Sequence, residues 1–302
     1  MDQYVEYDAM PPEYAEHARR TARESQRRIA LPLVLFALTC LSTLFVGGAR
    51  MNRDGEIEAF NTHDGLTYMV CVMGILLAHE MGHFLQAVRY GVPASLPFFI
   101  PMPFTPLGTM GAVIGMQGSR ANRKQLFDIG LTGPLAGLVV LMPIAWYGIK
   151  TAVAVPRIPN EMYFQDPLLF RLLIGYLRPD VSPGIEVSGP FVMAAWVGMM
   201  VTGLNMLPIS QLDGGHTAYG LFGRRAHYLA WGVVGVAIVF MIWEQQPTFI
   251  LMLALIFAIG VKHPPTADDR VELGWGRYLI GLVSLLIPIF CLSPNPISVA
   301  GQ

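Results

Sequence analysis

The stretch Ile75-Leu76-Leu77-Ala78-His79-Glu80-Met81-Gly82-His83-Phe84-Leu85 is apolar at both ends and carries three ionisable residues in its middle. Ionisable groups at membrane depth are costly, so a bilayer helix that holds three of them must compensate them. The rest of the chain shows that a bilayer helix is the right frame. Of its 302 residues 53% are hydrophobic and only 14% are charged, against about 25% charged in ordinary globular domains. The shortfall lies in long apolar blocks, and one crossing takes about 20 such residues. The expected fold is an all-α polytopic membrane protein of six to seven transmembrane helices, near 29–49, 65–90, 126–149, 189–217, 226–245, 248–262 and 277–292.

Composition also excludes classes. A net charge of −1 gives no electrostatic footprint for nucleic acid. Cys40, Cys71 and Cys291 sit singly inside apolar blocks, with neither a disulfide framework nor a cysteine metal cluster. The polar first 28 residues read as a cytoplasmic tail, followed by an integral-membrane domain over 29–302 with its core at 65–217. The first apolar block begins too late and runs too long for a cleaved leader, and fits an uncleaved anchor. With the N-terminus inside, 14 of the 20 basic residues fall in cytoplasmic connections, among them Arg27, Arg28, Arg123, Lys124, Arg224 and Arg225. That asymmetry orients a multi-pass protein of the cell membrane with its N-terminus in the cytoplasm.

Residues 91–118 break the helical pattern. They are apolar but hold five prolines and five glycines, and proline removes a helix hydrogen bond and clashes with the preceding turn. A membrane-embedded β-hairpin or re-entrant loop is expected there. The connection 150–188 gives no motif.

His79 and His83 stand one turn apart on one face of a helix, about 6 Å along its axis. Both imidazoles then reach one ion with bonds of about 2.0–2.1 Å, and zinc is the metal this HExxH spacing suits. Glu80 lies around the helix from that face, placed to hold a water rather than to ligate. Counted from Gly65, the two histidines lie about 21 and 27 Å along a core about 30 Å thick, in its cytoplasmic third. A catalytic zinc needs a third protein ligand. The candidates are His63, Asp128, Asp213, His216, Glu244 and His263. Asp213 lies at the matching depth in Asn205-Met206-Leu207-Pro208-Ile209-Ser210-Gln211-Leu212-Asp213-Gly214-Gly215-His216. There Pro208 interrupts the ladder, and Gly214 and Gly215 permit unusual dihedrals.

HExxH on one span and NxxPxxxLDG on a later one together resemble the site-2 protease family of intramembrane zinc metalloproteases. Gly108-Thr109-Met110-Gly111-Ala112 and Gly133-Pro134-Leu135-Ala136-Gly137 add to the similarity. The resemblance implies that His79, His83 and Asp213 are the zinc ligands and Glu80 the general base. Asn205 then contacts substrate or the developing oxyanion, and 91–118 is the hairpin beside the site. It further implies a minimal form without a PDZ or CBS domain. Its reaction is hydrolysis of a peptide bond in or near the transmembrane segment of a membrane-anchored, single-span protein. A zinc-binding transporter or scaffold is the competing class, and it has no use for a base at Glu80.

Overall fold

The computed structural model describes residues 12–51, 57–156, 162–181, 185–244 and 250–299. Residues 1–11 of the expected tail lie outside it. Helix α1 spans Pro12–Gly48 and joins the ribbon β1 (Ala49–Met51) and β2 (Ile57–Phe60). Helix α2, Thr62–Arg89, starts where the Asn61 side chain accepts from the Asp64 amide at 3.2 Å. That bond satisfies one of the donors every helix N-terminus leaves open. Strands β3 (Phe98–Met102) and β4 (Gly108–Val113) form an antiparallel hairpin, with Phe98 opposite Val113 and Met102 opposite Gly108. Helix α3, Arg123–Thr151, opens on a capping box in which Asn122 and Gln125 exchange side-chain and backbone bonds.

The 150–188 connection is not featureless. Strand β5 (Val153–Pro156), strand β6 (Met162–Phe164) and helix α4 (Leu168–Leu177) lead to strand β7 (Ile185–Ser188). β5 pairs with β7, and β6 pairs with β8 (Ile297–Val299) from the far end of the chain. The helices α5 (Pro190–Asn205), α6 (Asp213–Phe222), α7 (Ala226–Glu244), α8 (Ile250–Ile259), α9 (Trp275–Ser284) and α10 (Ile287–Cys291) complete the order.

Among the described residues four stretches are long and apolar enough to cross a membrane: Ile29–Gly48, Thr62–Arg89, Arg123–Thr151 and Asp213–Glu244. The last contains α6 and α7. Their outward residues support that environment, since Leu33, Val70, Val139, Val236 and Ile242 are all exposed. Contiguous apolar surface of that kind is rare on a protein bathed in water.

The core lies between α2, α3, α5 and α6. Tyr68, Val72 and Leu76 of α2 meet Trp196 and Val197 of α5. Leu141, Ala145 and Ile149 of α3 meet Ala195 and Met199 of α5. Leu126 and Ile129 of α3 meet Ala218 and Tyr219 of α6. α2 and α3 cross closely at Gly82, where an added Cβ would stand 2.6 Å from the Thr132 carbonyl oxygen.

The fourth expected span, 189–217, is interrupted. α5 stops at Asn205, and the chain turns through Met206–Leu212 before Asp213 opens α6. Ser210 takes φ +53, the one positive φ outside glycine among the described residues. Its amide donates to the Val261 carbonyl at 3.0 Å and its hydroxyl to the Gly260 carbonyl. Gly214 and Gly215 serve this turn by close approach, and neither has a left-handed dihedral. A Cβ at Gly214 would meet the Met206 oxygen at 2.0 Å, and one at Gly215 the Ser210 oxygen at 2.3 Å.

Candidate metal centre

The break after α5 sets the first turn of α6 against α2. The Asp213 carboxylate there meets both imidazoles: Oδ2 lies 3.0 Å from His79 Nε2, and Oδ1 lies 3.2 Å from His83 Nε2. The two Nε2 atoms are 3.2 Å apart. Bonds of 2.0–2.1 Å in a tetrahedron put neighbouring donor atoms about 3.3 Å apart. The donor set therefore fits one zinc ion in both chemistry and spacing, and these three residues could hold it together.

His83 is fixed in the tautomer that ligation needs. Its Nδ1 lies 2.7 Å from the Ile129 carbonyl oxygen. A carbonyl only accepts, so Nδ1 carries the proton and Nε2 keeps its lone pair. α3 makes room for both rings. An added Cβ at Gly133 would fall 2.0 Å from His83 Nε2, and one at Gly137 3.3 Å from His79 Nδ1. The Gly133–Gly137 segment, noted in the sequence only as a similarity, is the floor beneath the two histidines.

His79, Glu80 and His83 are all buried. With Asn205, Asp213 and His216 they line a cavity of about 140 Å³, to which Ala112–Ile114 at the end of β4 also contribute. Asn205, the last residue of α5, holds its Nδ2 3.5 Å from His79 Nε2.

The other acidic and histidine candidates go elsewhere. Asp128 accepts from Arg277 Nε at 2.7 Å and Nη2 at 2.9 Å, and from the Tyr90 hydroxyl, tying α9 to α3. His63 is exposed beside Asp64 in the first turn of α2. Glu244 accepts from Asn295 at 3.2 Å at the end of α7. His263 stands behind His216, with Nε2 2.7 Å from His216 Nδ1. Sequence reasoning missed the Ile129 carbonyl because a backbone acceptor leaves no trace in residue identity. It also missed the pairing of His216 with His263, for which spacing gave no signal.

Two imidazoles, a bridging carboxylate and a second carboxylate gathered around one cavity among apolar helices form a candidate metal centre. The comparisons give the class of protein that holds it. The profile of Peptidase family M50 matches residues 67–242, which hold every residue of the centre. The chain belongs to that family, the site-2 protease family. It is 32% identical over 234 residues to "Probable zinc metalloprotease EGY1, chloroplastic" of Arabidopsis thaliana, covering 73% of this chain and 41% of that one. It is 25% identical over 281 residues to "Probable zinc metalloprotease EGY2, chloroplastic" of the same plant, covering 88% and 49%. It is 26% identical over 294 residues to "Probable zinc metalloprotease EGY3, chloroplastic" of Oryza sativa subsp. indica, covering 88% and 48%. The chain thus spans less than half the length of these relatives. No solved structure matches it.

Proposed function

We propose that the chain is an intramembrane zinc metalloprotease that hydrolyses a peptide bond in or near the transmembrane segment of a single-span, membrane-anchored protein. One observation carries this reading: both Asp213 oxygens lie 3.0–3.2 Å from the Nε2 atoms of His79 and His83, inside apolar helices and beside Glu80.

His79, His83 and Asp213 would hold the zinc. When bound, the ion supplies Lewis acidity to a water and to the scissile carbonyl. Glu80 takes the proton of the attacking water and delivers it to the departing amide nitrogen, which leaves as an amine. Asn205 offers its Nδ2 hydrogens to the carbonyl oxygen as negative charge grows there, a preorganised donor of the oxyanion-hole kind. His83 stays oriented by the Ile129 carbonyl throughout.

A substrate helix hides its carbonyls in its own hydrogen bonds and must unwind to be cut. The β3–β4 hairpin supplies a place for the unwound stretch. Among the described residues β4 pairs with β3 along one edge only, and its end lines the cavity, so the substrate joins it by strand addition. Contacts to two spans support a hairpin embedded in the membrane. Ser42 of α1 donates to the Gly108 carbonyl at 2.6 Å, and Tyr68 of α2 donates to that of Leu107 at 2.7 Å.

We take 29–302 as one catalytic domain of six or seven spans, the shorter apolar helices adding to the four long ones. The excess of basic residues in one set of connections supports a cytoplasmic N-terminus and active-site end, and we propose the cell membrane as its location.

The test uses the purified full chain, its Glu80→Gln and Asp213→Ala variants, and a synthetic single-span peptide reconstituted in vesicles. Glu80→Gln is expected to keep its zinc and lose cleavage, whereas Asp213→Ala loses both. Full activity in Glu80→Gln overturns the mechanism.

A further inference from the structure

His216 lines the catalytic cavity and has no role in the scheme above. α3 admits it at Gly130, where an added Cβ would fall 2.6 Å from the His216 Cβ. Its Nδ1 lies 2.7 Å from His263 Nε2, and His263 Nδ1 in turn bonds the Pro264 carbonyl oxygen. Among the described residues, His216 Nε2 makes no hydrogen bond.

The order of protons along this chain follows from its end. The Pro264 carbonyl only accepts, so His263 Nδ1 carries a hydrogen. Burial pushes the His263 imidazole down to about 4, so the ring is neutral near pH 7 and its Nε2 is an acceptor. His216 must then donate from Nδ1, which leaves a lone pair on Nε2. The surroundings hold His263 in this arrangement. Its ring stacks on Tyr219 at 4.5 Å and 25°, and the Tyr219 hydroxyl is tied to Asp269 at 2.9 Å. His227 Nε2 donates to the His263 backbone carbonyl at 3.1 Å.

The geometry points to His216 as a substrate-binding residue, whose Nε2 accepts a hydrogen bond from a backbone N–H of the extended substrate, with His263 and the Pro264 carbonyl fixing its tautomer. Ala112–Ile114, the strand end to which the proposed substrate strand adds, lines the same cavity. A stretch pulled out of a helix brings bare N–H groups into an apolar site, and each needs an acceptor. Of the side chains around the cavity, zinc ligation engages His79, His83 and Asp213. Glu80 handles the proton, and Asn205 acts as a donor. Gln211 also lines the cavity but is exposed, so His216 supplies the acceptor whose tautomer the protein itself fixes. This inference rests on the peptide-hydrolysis reading.

Two measurements test it on the zinc-loaded full chain in detergent micelles. The first is the imidazole ¹⁵N spectrum near pH 7.5, with His216 assigned by its loss in His216→Gln. The expected state is protonated at Nδ1 and bare at Nε2, and it should move toward the Nε2-protonated form in His263→Phe. A wild-type His216 protonated at Nε2 overturns the proposal.

The second is cleavage of the synthetic single-span peptide, with bound zinc measured in parallel. Loss of one such bond is expected to lower kcat/KM about ten-fold in His216→Phe with zinc content unchanged. His216→Gln, which carries an acceptor oxygen, should recover part of the loss. The double variant His216→Phe/His263→Phe should be no slower than His216→Phe alone. If the wild type cuts and His216→Phe cuts equally well, this proposal fails and the protease reading stands. If the wild type cuts nothing, both fail.

Discussion

Replacing Gly133 with alanine tests whether the α2–α3 crossing sets the metal centre. The added Cβ would stand 2.0 Å from His83 Nε2, 2.3 Å from Cε1 and 2.4 Å from Cδ2. Ordinary contact lies near 3.5 Å, so the ring or the helix must give by about 1.5 Å. Metal–ligand distances tolerate only about ±0.2 Å, and the ring cannot retreat far without losing the Ile129 carbonyl at 2.7 Å. Second-sphere disruptions alone weaken metal binding about 10–100-fold, so Gly133→Ala, which displaces a ligand itself, should cost at least the upper end of that range. Overpacking should also destabilise the fold by about 1–3 kcal/mol. The assay is zinc retention against a chelator of graded concentration, with thermal unfolding alongside. Two controls make a series: Gly137→Ala meets His79 at 3.3 Å and should lose little, and Gly74→Ala of α2 meets nothing within 4 Å. Gly74→Ala should hold zinc normally and gain up to about 1 kcal/mol from helix propensity. Wild-type zinc affinity in Gly133→Ala would refute the reasoning, because the two helices would then be free to separate without cost to the site.

Three further outcomes are expected. Arg277→Met removes the bidentate partner of Asp128; with the arginine partly exposed the cost should be about 1–2 kcal/mol, read as a lower unfolding temperature, and an unchanged temperature would mean that α9 is held by apolar contacts alone. His263 titrates at about 4 in the folded chain and near 6.5 when unfolded, so the unfolded state binds more protons between those values and stability falls as pH is lowered from 6.5 towards 4. The groups facing it are His216, His227, Tyr219 and Asp269. His263→Phe should flatten that part of the stability–pH curve, and parallel curves for variant and wild type would count against a neutral buried imidazole. Stripping zinc with a chelator should lower the unfolding temperature and readdition restore it, by about 4 kcal/mol at zinc a thousand times its Kd; an unchanged melting curve would argue that the ion does not join α2 to α6.

The ligand side of this centre could be read before any coordinates because its chemistry is local. His79 and His83 share a helix face by spacing alone, and Asp213 announces itself by following a proline-broken, glycine-flanked run. The floor and the turn could not be read that way. Gly133 matters because of a ring on another helix, and nothing near it in sequence says so. The apolar run from Pro190 continues through Ile209, which makes an unbroken span the natural expectation. Its actual end is fixed by Ser210 bonding Gly260 and Val261, fifty residues downstream. The glycines after Asp213 were read as licences for unusual dihedrals, yet they sit in helix and answer a crowding that only the folded turn creates. In the 150–188 connection the strands were invisible because each is three or four residues long and one pairs with residues 297–299.

The clasp between Ser210 and Val261 also has a bearing on biosynthesis. Both histidines and Asp213 are already made when the ribosome has reached α6, but the turn that aims the carboxylate has no partner until residues 260 and 261 follow. At roughly 5–20 residues per second the interval is about 3–10 s. The turn before Asp213 is therefore completed only by a segment made about fifty residues later.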